Sequence, residues 1–126
     1  MEQKKARLLV IDDERDIGEF IGEVAKGLGY EILVTADTKS FMEEYNSFMP
    51  DVVVVDVVMP ETDGIELVKF LANNGCNARI LVISGYAERY LENTKSLAEA
   101  FGLPSVKTMT KPLELAELES FLQPAV

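Results

Sequence analysis

Three aspartates, one serine and one lysine stand where short apolar runs of this sequence end. Asp12 and Asp13 follow "LLVI", Asp56 follows "VVVV", Ser84 closes "ILVIS" and Lys111 follows "SVKTMT". Burying an isolated ionised carboxylate is costly, so Asp56 is expected to leave the valine run for the rim of a cleft and to have partners there. A hard cation such as Mg²⁺ or Mn²⁺ suits such a group of oxygen ligands.

A metal held by these carboxylates would bring a phosphoryl group to one of them. Two unit charges about 4 Å apart repel by roughly 4 kcal/mol at an effective dielectric of 20, and a cation offsets that repulsion. A carboxylate can act as a nucleophile and become an aspartyl phosphate. The Ser84 hydroxyl and the Lys111 ammonium would then bind phosphoryl oxygens. Taken singly, each residue has a commoner role in a helix cap, a turn or a solvated loop, and only their joint placement favours a site.

Apolar runs that alternate with amphipathic segments predict five strands and five helices. Strands are predicted at 6–11, 31–36, 52–55, 79–84 and 105–110, the last being more polar and expected at a sheet edge. Helices are marked by apolar residues or breakers within 17–28, 40–48, 65–72, 88–101 and 115–122, with Phe101 expected to point inward and Ile65 on the apolar side. This order predicts an α/β fold, a doubly wound parallel sheet with helices on both faces. Ligands of such sheets bind beyond the carboxyl ends of the strands, which is where the five polar residues fall.

Composition limits the functions that this chain can have. Its 126 residues predict a single domain over 1–126, and no apolar stretch reaches the ~20 residues of a membrane span or forms a secretory signal. The net charge of −10, from 22 acidic and 12 basic residues, argues against direct binding to nucleic acid. The one cysteine, Cys76, fits a reducing cytoplasm, and there is no histidine to activate it.

Over essentially its whole length, the chain resembles the receiver domain of two-component response regulators. The similarity rests on "LLVIDDE", "DVVVVDVVMPETDGIEL", "ILVISGYAE" and "TKPL". It implies a flavodoxin-like strand order of 2-1-3-4-5. It also implies that Asp56 accepts a phosphoryl group from a sensor histidine kinase or a phosphotransfer protein. Such a module is not an enzyme, apart from catalysing its own aspartyl phosphorylation and dephosphorylation.

The same resemblance assigns the other site residues. It implies that Mg²⁺ is held by Asp13, Asp56 and the backbone carbonyl of Val58, with Asp12 acting through a metal-bound water. Ser84 and Lys111 would contact the phosphoryl group. The Lys111–Pro112 peptide bond is expected to be cis, a state that is accessible at low cost only before proline.

The resemblance also implies a switch of surface on the side of the fourth helix, fifth strand and fifth helix. A homodimer on phosphorylation, a linked output domain and a separate target protein are all compatible with it. Thr108 replaces the Tyr or Phe that family members often carry there, so Tyr86 or Tyr90 is expected to relay the change instead. The stretch "ISGYAERYLENTKSLAEAFGL" is similar to receivers that precede cyclic-di-GMP phosphodiesterase domains.

Three other readings compete with the receiver. A Mg²⁺-dependent phosphatase with an aspartyl nucleophile would normally need a second Asp where Val58 stands, and the chain has no cap domain. A pseudo-receiver that only binds proteins would not need the full acidic set. A carrier of flavin mononucleotide would have to bind phosphate beside the acidic loop "IDDERD", which repels it without a metal.

Overall fold

The computed structural model describes residues 5–59, 62–85 and 88–123, with the side chains at 58–59, 62–63 and 88–90 outside that description. The strands are β1 Arg7–Ile11, β2 Glu31–Thr35, β3 Val52–Asp56, β4 Val58–Met59, β5 Thr62–Asp63, β6 Arg79–Ser84 and β7 Val106–Thr110. The helices are α1 Arg15–Gly27, α2 Thr38–Phe48, α3 Gly64–Asn73, α4 Glu88–Ala100 and α5 Leu115–Leu122. None of the helices in these ranges has the length and apolarity needed to cross a bilayer.

Five of the strands form one parallel sheet in the order β2-β1-β3-β6-β7. Counted along the chain without the two short strands, this is the predicted order 2-1-3-4-5, and β7 lies at the predicted edge. The short strands β4 and β5 pair with each other in an antiparallel sheet that the sequence patterns do not predict. The carboxyl ends of β1, β3, β6 and β7 therefore lie side by side.

The central strand β3 is buried along its whole length because helices cover both faces of the sheet. Successive residues of a strand point to opposite faces. Val53 and Val55 accordingly belong to a core cluster with residues of α2, α3 and α4. Val54 belongs to a second cluster with residues of α1 and α5. The predicted coverage of both faces is confirmed.

One of the predicted inward positions is wrong. Phe101, just beyond α4, is 39% exposed, and Leu103 is buried in its place. The helix ends in a reversal at Gly102, whose φ is 92°, and the Leu103 N–H donates to the Ala98 carbonyl, which brings Leu103 back under the helix. Ile65 is 38% exposed because successive helical residues are separated by about 100°, so it is rotated away from the buried face that contains Leu67.

Candidate functional site

The predicted site residues meet at the carboxyl edge of the sheet. Asp12 directly follows β1, Asp56 is the last residue of β3, Ser84 is the last residue of β6, and Lys111 directly follows β7. The Lys111 backbone N–H donates to the Ser84 carbonyl at 2.8 Å, which ties the start of the β7–α5 loop to the end of β6. The expected convergence of four strand ends at one edge is therefore present.

The sequence led us to expect Asp56 at the exposed rim of a cleft, but the structure keeps it in the core. It is part of β3 and is 0% exposed, and Asp12 is 1% exposed. The physical reason is an internal counter-charge. The Lys111 ammonium donates a hydrogen bond to Asp56 Oδ2 at 3.1 Å, so the carboxylate is compensated by a cation and not by bulk water.

The Lys111 ammonium lies among three carboxylates. Its Nζ is 3.1 Å from Asp56 Oδ2, 3.1 Å from Asp12 Oδ2 and 2.6 Å from Glu14 Oε1. Burial alone would lower the pKa of Lys111, but the contacts with Glu14, Asp12 and Asp56 outweigh it and raise that pKa above its ordinary value. Lys111 is therefore a permanent cation at neutral pH.

Four carboxylates form a cluster at this edge of the sheet, and three of them contact Lys111. Asp12, Asp13, Glu14 and Asp56 each contribute an oxygen to a group whose members all lie within 4.8 Å of one another. Asp12 and Asp56 are buried, and the other two are exposed. Lys111 supplies one positive charge against four carboxylates, so the cluster carries an excess of negative charge that favours binding of a cation.

Asp12 shows the clearest sign of a ligand position. Its Oδ1 accepts the Glu14 backbone N–H at 2.8 Å. Its Oδ2 is buried and lies 3.1 Å from Lys111 Nζ, the one partner that the described part of the chain gives it. A buried carboxylate oxygen with spare acceptor capacity, in an all-oxygen set, fits a hard divalent cation.

Glu14 is the member of the cluster that we did not identify from the sequence. It stands directly after the aspartate pair in "DDE", where acidic residues are common before a helix. Its partner, Lys111, is 97 positions away. Only the predicted convergence of strand ends could have suggested that the two side chains meet.

Residues 8–123 match the family model of the response regulator receiver domain. The chain belongs to this family. Among its relatives, the chemotaxis protein CheY of Treponema pallidum is 31% identical over 111 residues, which cover 86% of this chain and 74% of that protein. The regulatory protein AtoC of Escherichia coli is 26% identical over 120 residues, which cover 95% of this chain but only 25% of AtoC. The chain likewise spans 31% of the Regulator of RpoS of Escherichia coli.

Solved receiver structures share the fold. A response regulator from Colwellia psychrerythraea superposes with a TM-score of 0.80 at 25% identity, covering 94% of both chains. The receiver domain of the Francisella response regulator 1452 superposes with a TM-score of 0.79 at 27% identity, covering 94% of this chain and 93% of that one. This receiver domain is thus a phospho-acceptor signalling module with an acidic pocket that contains Asp12, Asp13 and Asp56.

Some receiver features predicted from the sequence fall on described residues, and others do not. The Lys111–Pro112 bond is cis, as predicted. The Val58 backbone lies in β4 opposite Asp63, while the ligand role of its carbonyl stays a prediction. Tyr86 and the Tyr90 side chain lie outside the described residues, so their relay role stays a prediction too. The similarity to receivers that precede cyclic-di-GMP phosphodiesterase domains also stays a prediction.

A groove lies beside Thr108 at the edge strand β7, between α4 and α5. Thr108 lies in β7 opposite Val82 and is partly exposed. The groove, of about 290 Å³, is lined by Leu91, Glu92, Thr108, Met109, Thr110 and Glu117. A large aromatic side chain at position 108 would have to occupy or cover part of this space.

Proposed function

We propose that Asp56 accepts a phosphoryl group from a histidine kinase or a phosphotransfer protein. The observation that carries this proposal is the buried contact of 3.1 Å between Asp56 Oδ2 and the Lys111 ammonium, at the carboxyl edge of a receiver sheet. An Asp56 carboxylate oxygen would attack phosphorus, and the bond from phosphorus to the donor's leaving nitrogen or oxygen would break.

In this reaction the positions of Lys111 and Ser84 matter more than acid–base chemistry. Negative charge on the phosphoryl oxygens would be stabilised by the Lys111 ammonium, which is already fixed beside the nucleophile. The Ser84 hydroxyl, buried at the end of β6, would donate to a second phosphoryl oxygen. Neither group has to gain or lose a proton.

A divalent cation, Mg²⁺ or Mn²⁺, is the cofactor that this site fits. We assign its ligands to Asp13, Asp56 and the Val58 backbone carbonyl, with Asp12 holding a metal-bound water. The burial of Asp12 Oδ2 within this acidic cluster supports the assignment. When bound, the cation would neutralise charge on the carboxylates and on the phosphoryl oxygens.

Phosphorylation would change the surface formed by α4, β7 and α5. Lys111 would exchange its contact with Asp56 Oδ2 for a phosphoryl oxygen, and its backbone hydrogen bond to Ser84 couples that move to the ends of β6 and β7. The partner on this surface would be a target protein, a linked output domain or a second copy of the receiver. We place the reaction in the cytoplasm, with which the free thiol of Cys76 is compatible.

Labelling with acetyl phosphate and Mg²⁺, followed by intact-protein mass spectrometry, tests this function. Wild type should gain one phosphoryl group, while the Asp56→Asn variant should gain none. Steady release of phosphate from small phosphomonoesters, without a stable adduct, would favour the phosphatase reading instead. No adduct and no turnover would favour the pseudo-receiver.

A further inference from the structure

Glu14 makes the shortest contact with the lysine of the site. Its Oε1 lies 2.6 Å from Lys111 Nζ, compared with 3.1 Å for the oxygens of both Asp12 and Asp56. The Glu14 side chain is 60% exposed, whereas that of Lys111 is 11% exposed. Glu14 therefore stands at the solvent side of the cluster and contacts the lysine from there.

The backbone holds Glu14 in this position. Its N–H donates to Asp12 Oδ1 at 2.8 Å, and its carbonyl accepts the N–H groups of Ile17 and Gly18 in the first turn of α1. Glu14 is the N-cap residue of α1, but its side chain makes no capping hydrogen bond. The carboxylate therefore does not cap the helix, as an N-cap side chain usually does, and instead contacts Lys111.

The ammonium of Lys111 has three N–H donors, and three carboxylates surround it. A phosphoryl group on Asp56 would need at least one of those donors. In the proposed reaction Asp56 carries the phosphoryl group and Asp12 faces the cation, so neither keeps its full contact with Lys111. The proposed function assigns Glu14 neither task, and it is the carboxylate that continues to draw the ammonium away from the acceptor.

We propose that Glu14 is a positioning residue that competes with the phosphoryl group for the Lys111 ammonium. It would thereby set how readily the domain enters its phosphorylated state. This inference rests on the function proposed above. It goes beyond that function because the acceptor chemistry itself needs no carboxylate at position 14.

Three variants separate this role from a general effect of charge. Glu14→Gln removes the charge and weakens the contact. Glu14→Asp keeps the charge but shortens the side chain by one methylene, which draws the carboxylate away from Lys111. Glu19→Gln removes the same charge from within α1; in the described part of the chain Glu19 forms an ion pair with Arg15 at 3.0 Å and none with a residue of the site.

The first measurement is the affinity for beryllium fluoride, a phosphoryl mimic, at saturating Mg²⁺. Both Glu14→Gln and Glu14→Asp should tighten this binding, because each weakens the competing contact with Lys111. The gain should be only about two- to fivefold, since an exposed ion pair contributes little free energy, and Glu19→Gln should not change the affinity. Equal affinities in wild type and both Glu14 variants would overturn the inference. So would a Glu14→Asp variant that behaves like wild type while Glu14→Gln binds tighter, since charge alone would then explain the effect.

The second measurement needs neither metal nor mimic. The mobility of the Lys111 ammonium, measured by ¹⁵N relaxation of the metal-free protein, should rise in both Glu14 variants and stay unchanged in Glu19→Gln. Unchanged mobility in the Glu14 variants would show that Glu14 does not hold Lys111. A wild-type protein that binds no beryllium fluoride would overturn the proposed function and this inference together, whereas equal affinities among the variants overturn the inference alone.

Discussion

Replacing Asp56 by Asn should raise the free energy of unfolding, although Asp56 is a fully buried residue of the central strand. The change keeps the size of the side chain and removes one negative charge. The attraction to Lys111 that is lost, at 3.1 Å, amounts to about 5 kcal/mol at an effective dielectric of 20. A neighbouring carboxylate no farther than 4.8 Å repels Asp56 by about 3.5 kcal/mol or more on the same scale.

Three carboxylates surround Asp56, so the repulsion removed exceeds the attraction lost. Asp13 and Glu14 are exposed, and solvent screens their share strongly. We therefore expect a net gain of about 1–3 kcal/mol in metal-free protein at low salt. Lys111→Met should act in the opposite direction, with a loss of about 3–5 kcal/mol, because it leaves buried carboxylates without a counter-ion.

Urea unfolding in the presence of a chelator measures both effects, and thermal melting should follow with roughly 3–6 °C per kcal/mol for a domain of this size. The gain for Asp56→Asn should shrink as salt is added. A clear loss of stability in Asp56→Asn would refute the reasoning. It would mean that the attraction between Asp56 and Lys111 exceeds the repulsion from the neighbouring carboxylates, and that Asp56 stabilises the fold.

Three further predictions concern the metal, the last helix and alkaline pH. Asp13→Ala should weaken Mg²⁺ binding more than Asp12→Ala in calorimetric titrations, and equal affinities would remove the distinction between direct and water-mediated ligands. Tyr30→Phe should lower the free energy of unfolding by about 1–2 kcal/mol in urea, because the Tyr30 hydroxyl donates to the buried Leu122 carbonyl at 2.7 Å; an unchanged midpoint would contradict this. Burial, with a side-chain hydrogen bond to Cys76, raises the pKa of Tyr45. Its contribution to stability should therefore be complete below the ordinary tyrosine pKa and be lost as pH rises beyond about 10. Tyr45→Phe should flatten the fall of the melting temperature above that pH. An identical alkaline profile in wild type and variant would refute this prediction.

Local pattern is enough to predict the elements that position the site. The runs around Val10, Val54 and Leu81 are continuous because both faces of their strands are covered, and a buried strand needs no more than that to be recognised. The residue after each run then falls at the same edge of the sheet. This is why Asp12, Asp56, Ser84 and Lys111 can be grouped from the sequence alone, and why the strand predictions agree with the structure to within one residue at each end.

Features that depend on long-range contacts could not be predicted in this way. The burial of Asp56 depends on a lysine 55 positions away, and the contact of Glu14 depends on the same lysine. Phe101 fits the helical period, but the reversal at Gly102 gives its inward place to Leu103. For Asp56 and Glu14, tertiary contacts determine the outcome where the sequence pattern leaves it open, whereas for Phe101 the local reversal at Gly102 determines it.

The central claim is that Asp56 receives the phosphoryl group, and locating the label tests it most directly. Protein treated with acetyl phosphate and Mg²⁺ can be reduced with borohydride, which converts an aspartyl phosphate to homoserine, and then digested and sequenced by mass spectrometry. We predict homoserine at position 56 and aspartate retained at positions 12 and 13. Homoserine at position 12 or 13 with Asp56 intact, or a label that resists reduction, would contradict the claim.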